Sequence, residues 1–269
     1  MKNFLQILGS GGAQMIPCHG CDCNSCEEAR KNPKLMRDCS AYLFNFNNIN
    51  ILLDYGSQLL NKYGLSLLNI DYIFISHSHS DHFKGLFPMA WTQQDQITIY
   101  YSGNDLSGAF KDLLENPKHI NFIECNVFEK IKLNSSLFIT PIPLIHNVYT
   151  TGFYLEYKNY SIAYLLDTKG LPQKTYEYLK DKDQINLILI DATYGPRRES
   201  NNHNNFEDAL EIINDLKPKN AILTHISHKN PTIKWLKKYI KEKIKLKETI
   251  KNTHIAFDGM KFKFNIRKK

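Results

Sequence analysis

The feature that most constrains this chain is a cluster of four metal-binding side chains within six residues. It lies in the segment SHSHSDH (Ser76–His82), directly after the apolar run YIFI, and has the pattern HxHxDH. On an extended backbone His77 and His79 point the same way, because side chains alternate along a strand. Asp81 and His82 follow where the chain turns towards a helix. Imidazole and carboxylate groups hold Zn²⁺, Mn²⁺ or Fe²⁺, so the cluster predicts a site for two adjacent ions.

Further ligands for such a site are expected at the ends of later apolar runs. His146 ends PIPLIH, Asp167 ends SIAYLLD and His225 ends NAILTH. One such residue is ordinary, since histidine is common at strand ends and aspartate often caps a turn. Three of them after HxHxDH indicate one metal centre assembled from distant parts of the chain. Asp54 and Asp191 also end apolar runs and either orient metal-bound histidines or cap turns; of the two, Asp191 is expected nearer to the site.

The series of HxHxDH followed by separated His, Asp and His resembles that of metallo-β-lactamase-fold hydrolases. The resemblance implies an α/β chain folded as an αββα sandwich, with the site at one edge of the sheets. It implies that His77, His79 and His146 hold one ion, that Asp81, His82 and His225 hold the other, and that Asp167 bridges them. Two such ions would make a bridging hydroxide available near neutral pH and neutralise charge on a phosphoryl oxygen. The expected reaction is therefore phosphodiester hydrolysis without a side-chain nucleophile.

A second cluster, CHGCDCNSC, contains four of the six cysteines. Such crowding in a chain expected to stay in the cytoplasm favours metal binding over disulfides. The spacing CxCxxC at Cys21, Cys23 and Cys26 can place three thiolates around one structural Zn²⁺. The fourth ligand is either Cys18, which is adjacent in sequence, or His228, which follows His225 by three residues in THISH.

The order GCxCxxC, HxHxDH, LLDTKGLP and THISH resembles the phosphoribosyl 1,2-cyclic phosphate phosphodiesterase family of the carbon-phosphorus lyase pathway. LGSGGAQ, GLFPMAW and FDGM extend the similarity over almost the whole chain. The resemblance implies that His228 completes the zinc site of the 18–39 loop region. It also implies that His203, in an Asn-His pair, protonates the leaving alkoxide, although the flanking residues GPRRESNNHNNF depart from the family pattern. Arg197 and Arg198, just before this pair, are candidate ligands for a second phosphate.

The formal net charge of +7 favours anionic partners but does not choose among them. We expect a small phosphate-ester substrate rather than nucleic acid, and the sequence leaves a homodimer open. The segment KWLKKYIKEKIKLKETIKN is interpreted as an amphipathic surface helix with a solvated basic face rather than as a nucleic-acid track. No apolar run reaches the roughly 20 residues that span a bilayer, so no membrane association is expected.

Short β-type runs dominate the first half of the chain, and helical patterns separate the later ones. Helices are predicted around 106–114, 172–179, 206–216 and 233–244. Without a repeat or a Pro- or Gly-rich linker, residues 1–269 are predicted to form a single domain.

Two other functions remain open. An RNA-processing nuclease of the same fold would use the same ligands, although no insertion for an RNA-binding arm is evident. A noncatalytic accessory metalloprotein would use the cysteine loop, and the complete HxHxDH argues against it. The site is expected to take Mn²⁺ or Zn²⁺ as its two catalytic ions, and the sequence does not choose between them.

Overall fold

The computed structural model describes residues 3–66, 69–91, 97–103, 106, 108–110 and 120–266. The strands in these ranges are β1 (Asn3–Gly9), β2 (Ala41–Phe46), β3 (Ile49–Tyr55), β4 (Tyr72–Ile75), β5 (Ile97–Tyr101), β6 (Ile120–Glu124), β7 (Ile131–Lys132), β8 (Leu137–Pro143), β9 (Thr151–Tyr157), β10 (Tyr160–Leu165), β11 (Leu187–Asp191), β12 (Asn220–Thr224), β13 (Thr253–Ile255) and β14 (Lys261–Lys263). The α-helices are α1 (Asn24–Lys31), α2 (Ser80–Phe83), α3 (Gln173–Lys180), α4 (Phe206–Leu216) and α5 (Ile233–Leu246). Short 3₁₀ segments lie at Pro33–Leu35, Asn61–Tyr63, Lys84–Trp91 and Glu248–Ile250.

The strands form two mixed sheets. The first has the order β14-β1-β2-β3-β4-β5-β6, and the second has the order β13-β12-β11-β10-β9-β8-β7. Strands β3 to β6 are parallel to one another, as are β10 to β13. Because the carboxyl ends of parallel strands meet at one edge of a sheet, residues that follow β3, β4, β10, β11 and β12 converge there.

The two sheets pack face to face through aromatic side chains. Tyr42 of β2 contacts Tyr164 of β10, with ring centroids 5.3 Å apart, and Phe74 of β4 contacts Phe153 of β9 at 5.5 Å. All four residues are at most 1% exposed. Removing such a ring from water stabilises the fold by about 1.5–3 kcal/mol. These pairs join the first sheet to the second directly beneath the edge at which the parallel strands end.

Helices cover the outer face of the second sheet. Phe206 and Ile213 of α4 and Leu236 of α5 are buried against Ile188 and Leu223 of that sheet. The outer face of the first sheet packs against a separate apolar cluster that includes the 3₁₀ segment after α2. Helix on sheet on sheet on helix is the αββα arrangement that the resemblance implied, so the predicted fold is confirmed.

Three of the four predicted helices are found close to their expected bounds, at α3, α4 and α5. The fourth, predicted around 106–114, lies partly outside the described residues. The helix α4 begins with a capping box, in which Asn205 accepts from the backbone N–H of Asp208 and the Asp208 carboxylate accepts from the backbone N–H of Asn205. Among the described residues, none of the helices is both long and apolar enough to cross a bilayer.

Candidate active site

Side chains of the candidate site lie where the parallel strands end. His77 follows β4, Asp167 follows β10 and His225 follows β12, while Asp54 lies at the end of β3. Asp54, Asp167 and His225 have left-handed backbone conformations, with φ of 52°, 57° and 61°. This conformation costs about 1–3 kcal/mol for a residue with a side chain, and such residues accumulate at functional sites. The surrounding packing therefore holds all three residues against their local preference.

One group of ligand atoms consists of three histidine nitrogens and one carboxylate oxygen. Nε2 of His77 and Nε2 of His146 each lie 3.6 Å from Oδ2 of Asp167. Nδ1 of His79 lies 3.1 Å from Nε2 of His146. The ligand atoms of the four residues all lie within 4.8 Å of one another, a spacing at which one metal ion can contact each of them.

The second group uses the other oxygen of the same carboxylate. Oδ1 of Asp167 lies 3.2 Å from Nε2 of His82 and 3.3 Å from Nε2 of His225. Oδ2 of Asp81 lies 3.5 Å from Nε2 of His82 and 3.6 Å from Nε2 of His225. Asp167 thus presents one oxygen to each group, which is the geometry of a carboxylate between two cations. The structure brings all seven of the predicted ligands together.

The chemistry of this donor set fits a pair of divalent ions. Nε2 of His77, His82 and His225 and Oδ1 of Asp167 are buried without a hydrogen-bond partner in the described protein. Buried polar atoms are normally satisfied, so four orphaned atoms within the two ligand groups call for a ligand. Burial also lowers the pKa of His77 and His79, which favours the neutral imidazole that metals bind.

Asp54 orients two of the histidines from below. Its buried carboxylate accepts hydrogen bonds from Nδ1 of His82 at 2.7 Å, from the Tyr164 hydroxyl at 2.6 Å and from the Ser76 hydroxyl at 2.9 Å. The Ser76 hydroxyl in turn accepts from Nδ1 of His77 at 2.9 Å. In a neutral imidazole, a proton bound at Nδ1 in this way leaves Nε2 unprotonated and able to bind a metal ion.

Asp191 orients two other histidines of the site, His225 and His203. Its carboxylate accepts from the Thr193 hydroxyl at 2.6 Å, and that hydroxyl accepts from Nδ1 of His225 at 2.7 Å. The Asp191 carboxylate also accepts from Nδ1 of His203 at 2.8 Å. The sequence placed Asp191 nearer to the site than Asp54, but each lies a single hydrogen bond from a site histidine. Thr193 was not anticipated, although it follows Asp191 by two residues.

His203 stands at the wall of the cavity beside both groups. Its ring centroid lies 4.9 Å from that of His146 and 5.2 Å from that of His225. Burial alone would lower its pKa, but the Asp191 carboxylate outweighs burial and raises the pKa of His203 to about 9. In the metal-free protein this raised pKa favours the doubly protonated imidazole at neutral pH. Since Nδ1 is bonded to Asp191, Nε2 is the nitrogen that can serve a reacting group.

A cavity of about 280 Å³ opens above the ligand groups. Its lining includes Gly12, Gln14, Tyr194, His203 and Lys229 besides the ligands. A residue with a side chain does not fit at position 12, because a Cβ on Gly12 would lie 2.8 Å from Cε1 of the His225 ring. The early LGSGG turn thus packs against the site. Gln14 and Lys229 were missed; each follows a recognised motif, LGSGG or THISH, within two residues.

The two candidate arginines lie outside the described lining of this cavity. The Arg198 guanidinium lies over the ring of Tyr194, 5.0 Å from its centroid. Arg197 is exposed, and its backbone N–H donates to the Glu207 carboxylate at 3.1 Å. Of the lysines and arginines, Lys229 is thus the one that contributes to the described cavity wall.

The cysteine loop gathers a second donor set beside the site. Cys21, Cys23, Cys26 and His228 have ligand atoms within 4.8 Å of one another. Sγ of Cys21 lies 3.3 Å from Nδ1 of His228, and that of Cys23 lies 3.7 Å from it. Three thiols and one imidazole suit Zn²⁺. The Cys18 thiol points elsewhere and donates to the His19 carbonyl, so the fourth member of the described set is His228.

His228 also connects this set to the cavity. Its Nε2 lies 2.8 Å from Oε1 of Gln14. If Nδ1 serves a metal, Nε2 keeps its proton and donates to Gln14. The THISH segment therefore supplies His225 to the candidate active site and His228 to the cysteine set.

Comparison with known proteins finds one matching family, whereas the individual relatives are named for different activities. Residues 50–226 match the beta-lactamase superfamily domain. Octanoyltransferase of Porphyromonas gingivalis is 24% identical, with 84% of this chain and 46% of that protein covered. Mitochondrial ribonuclease Z 2 of Schizosaccharomyces pombe is 25% identical, with coverage of 74% and 33% respectively. The chain thus spans less than half the length of either relative.

Among solved structures, a diphosphatase from the PhnP family superposes with a TM-score of 0.79 at 22% sequence identity. The superposition covers 98% of this chain and 99% of that one. At this identity the likeness concerns the fold, and it extends over the N-terminal cysteine loop as well as the sandwich.

Proposed function

This chain belongs to the beta-lactamase superfamily, and from that membership we propose that it is a two-metal phosphodiesterase acting on a small cyclic phosphate ester. Phosphoribosyl 1,2-cyclic phosphate is the proposed substrate. The proposal assigns the metal ligands and the acid as the sequence predicted them, with Asp167 as the shared carboxylate and His203 as the proton donor.

The observation that carries the proposal is the division of the Asp167 carboxylate between two ligand groups. Oδ2 lies 3.6 Å from the nitrogens of His77 and His146, and Oδ1 lies 3.2–3.3 Å from those of His82 and His225. A mononuclear site would not need both oxygens in this arrangement. When bound, a pair of divalent ions supplies an activated water and neutralises charge on the phosphoryl oxygens.

The protein's own groups complete the chemistry around that centre. His203 carries the proton that the leaving alkoxide needs, because Asp191 raises its pKa to about 9. Lys229 and Gln14 line the cavity and can donate to phosphate oxygens. A cavity of about 280 Å³ suits a sugar phosphate better than a large substrate. Arg198, beside Tyr194, is proposed to reach a second phosphate, with Arg197 as its less favoured neighbour.

Metal analysis combined with a substrate panel tests the proposal. The panel contains a five-membered cyclic phosphodiester, a linear phosphodiester, a phosphomonoester, a thioester and a β-lactam. We expect about three ions per chain, two in the catalytic pair and one in the cysteine set, and turnover of the diesters alone. Asp167→Asn should abolish turnover, whereas Asp183→Asn, which makes the same change at an exposed position, should not. Turnover of the thioester or β-lactam without diester turnover would contradict the assignment.

The role of His203 is tested with two leaving groups. A general acid contributes about 10²–10⁴-fold when the leaving group is a poorly stabilised alkoxide. It contributes little when the leaving group is p-nitrophenolate, which departs without a proton. His203→Asn should therefore slow an alkyl diester by at least about 100-fold and a p-nitrophenyl diester only a few-fold. An equal loss on both substrates would assign His203 a structural role instead.

An RNA-processing nuclease is the second candidate, favoured by the similarity to ribonuclease Z 2 and by the lysine-rich surface of α5. A structured RNA precursor with a 3′ extension discriminates between the candidates. Cleavage of that precursor with no turnover of the cyclic diester would replace the first proposal by the second.

A further inference from the structure

A second cavity, of about 340 Å³, lies on the other side of the THISH segment from the candidate active site. It is enclosed by the end of the cysteine loop, the first turns of α5 and the segment after β13. The apolar part of its wall consists of Ile16, Leu35, Met36, Ile226, Pro231, Ile233, Leu236, Ile255, Ala256 and Phe257. In the described part of the chain it shares none of its lining residues with the catalytic cavity.

Arg37 is the unusual member of this wall. The residue is only 6% exposed, and its Nη1 donates to the Ser10 hydroxyl and to the Ala256 carbonyl. Among the described residues, the side-chain hydrogen bonds of Arg37 all run through Nη1, and no carboxylate forms an ion pair with it. Burial lowers the pKa of Arg37 to about 10, against the attraction of Asp258. The guanidinium therefore remains charged at neutral pH in a largely apolar setting.

The acids near Arg37 do not pair with it. The Asp258 carboxylate accepts from the Ser10 hydroxyl, the Ser10 backbone and the Asp38 backbone, so the Ser10 hydroxyl separates it from the guanidinium. Glu28 is the acid in the described cavity wall, and it is exposed. Lys34 and Lys237, both exposed, stand at the rim. The wall thus carries three cationic side chains against one carboxylate.

A buried charge is normally paired, because an unpaired one loses hydration without compensation. From this buried guanidinium, the basic rim and the apolar walls, we propose that the cavity binds a small organic anion with an apolar body, such as an aryl or alkyl carboxylate. The carboxylate meets Arg37, and the apolar body lies along α5. A volume of about 340 Å³ falls within the range of small-molecule sites. Met36 and Phe257, 36% and 51% exposed, form the apolar entrance.

The inference is independent of the proposed reaction, so it is tested by binding. The probes are 4-phenylbutyrate and its neutral isostere 4-phenylbutanamide, titrated calorimetrically into the metal-loaded protein. A charge-assisted hydrogen bond should make the acid bind about tenfold or more tightly than the amide, with one site per chain. Inorganic phosphate at a concentration that saturates the catalytic cavity should leave this affinity unchanged. Displacement of the acid by phosphate would place it on the catalytic metals and overturn the proposal.

Three variants and one control locate the site. Met36→Trp, which fills the entrance without entering the core, should weaken the acid at least about tenfold. Lys237→Ala should weaken it a few-fold, whereas Lys238→Ala, one residue along α5 and outside the lining, should not. Arg37→Met should remove the preference for acid over amide. If Arg37→Met fails to fold, the Met36 and lysine variants still decide: unchanged affinity in both Met36→Trp and Lys237→Ala overturns the proposal.

Discussion

Replacing Asp54 by asparagine should weaken metal binding although it changes none of the proposed metal ligands. The Asp54 carboxylate is fully buried and accepts from the Ser76 backbone at 2.8 Å, the Ser76 hydroxyl at 2.9 Å, Nδ1 of His82 at 2.7 Å and the Tyr164 hydroxyl at 2.6 Å. The Ser76 backbone N–H donates to Oδ1, and the other three groups donate to Oδ2. The two hydroxyls can turn to accept from an amide N–H but the backbone N–H cannot, so the amide oxygen keeps the Oδ1 position and the amide nitrogen faces Nδ1 of His82. One buried donor then loses its acceptor, which costs about 1–3 kcal/mol of folding free energy.

The same substitution acts on the His82 tautomer. To accept from the new amide N–H, Nδ1 of His82 must give up its proton, and the proton then sits on Nε2. That nitrogen lies 3.2 Å from Asp167 and 3.5 Å from Asp81, at the position of a metal ligand. Changing a residue that orients a metal-bound histidine typically weakens metal binding about 10–100-fold.

Metal affinity is measured by competition with a colorimetric chelator, and thermal unfolding of the metal-free protein is followed in parallel. Asp71→Asn is the matched control, because the Asp71 carboxylate also accepts a backbone N–H, from Asn50 at 2.7 Å, but at an exposed position far from the ligands. An affinity of Asp54→Asn within about twofold of that control would refute the reasoning, whatever happens to the melting temperature.

Three further outcomes follow from contacts at the site. Thr193→Val should weaken metal binding about tenfold, and Thr193→Ser should restore it, because the hydroxyl fixes a histidine tautomer; chelator competition distinguishes them. Cys23→Ser should remove one zinc per chain by elemental analysis, while Cys18→Ser, outside the donor set, should keep it. Gly12→Ala should lower kcat/KM in a steady-state assay, because its Cβ would meet a site histidine at 2.8 Å. Gly108→Ala, whose Cβ would meet nothing within 4 Å, is the control, and an equal fall in both would count against this packing argument.

Much of the fold could be predicted from local patterns. Alternating apolar runs identify strands, and helical spacing identifies α3, α4 and α5, because both periodicities are set by which face of an element is buried. The ligands could be predicted for a related reason: residues that end parallel strands meet at one edge of a sheet. The seven candidate ligands were therefore recognisable from the sequence as a set, although they span 77–225.

Contacts between distant segments could not be predicted in this way. Lys229, Gln14 and Thr193 carry no motif of their own, and only the folded loops bring them to the cavity wall. Spacing alone left both Cys18 and His228 open as the fourth zinc ligand; the family resemblance favoured His228, and the folded chain brings it to the three cysteines. Arg197 and Arg198 were candidate phosphate ligands because they are cationic and precede His203 in sequence. Their side chains lie outside the described cavity lining.

By itself the sequence determined which residues can bind metal and which strand ends would carry them, since short-range spacing and burial period are encoded locally. The family resemblance already named Asp167 as the bridging residue, but only the tertiary structure decided which of its oxygens faces which group of ligands. Tertiary structure alone also placed Arg37 in the wall of a separate, largely apolar cavity. The physical reason is that hydrogen-bond partners and buried charges are set by three-dimensional neighbours, which residue order does not specify.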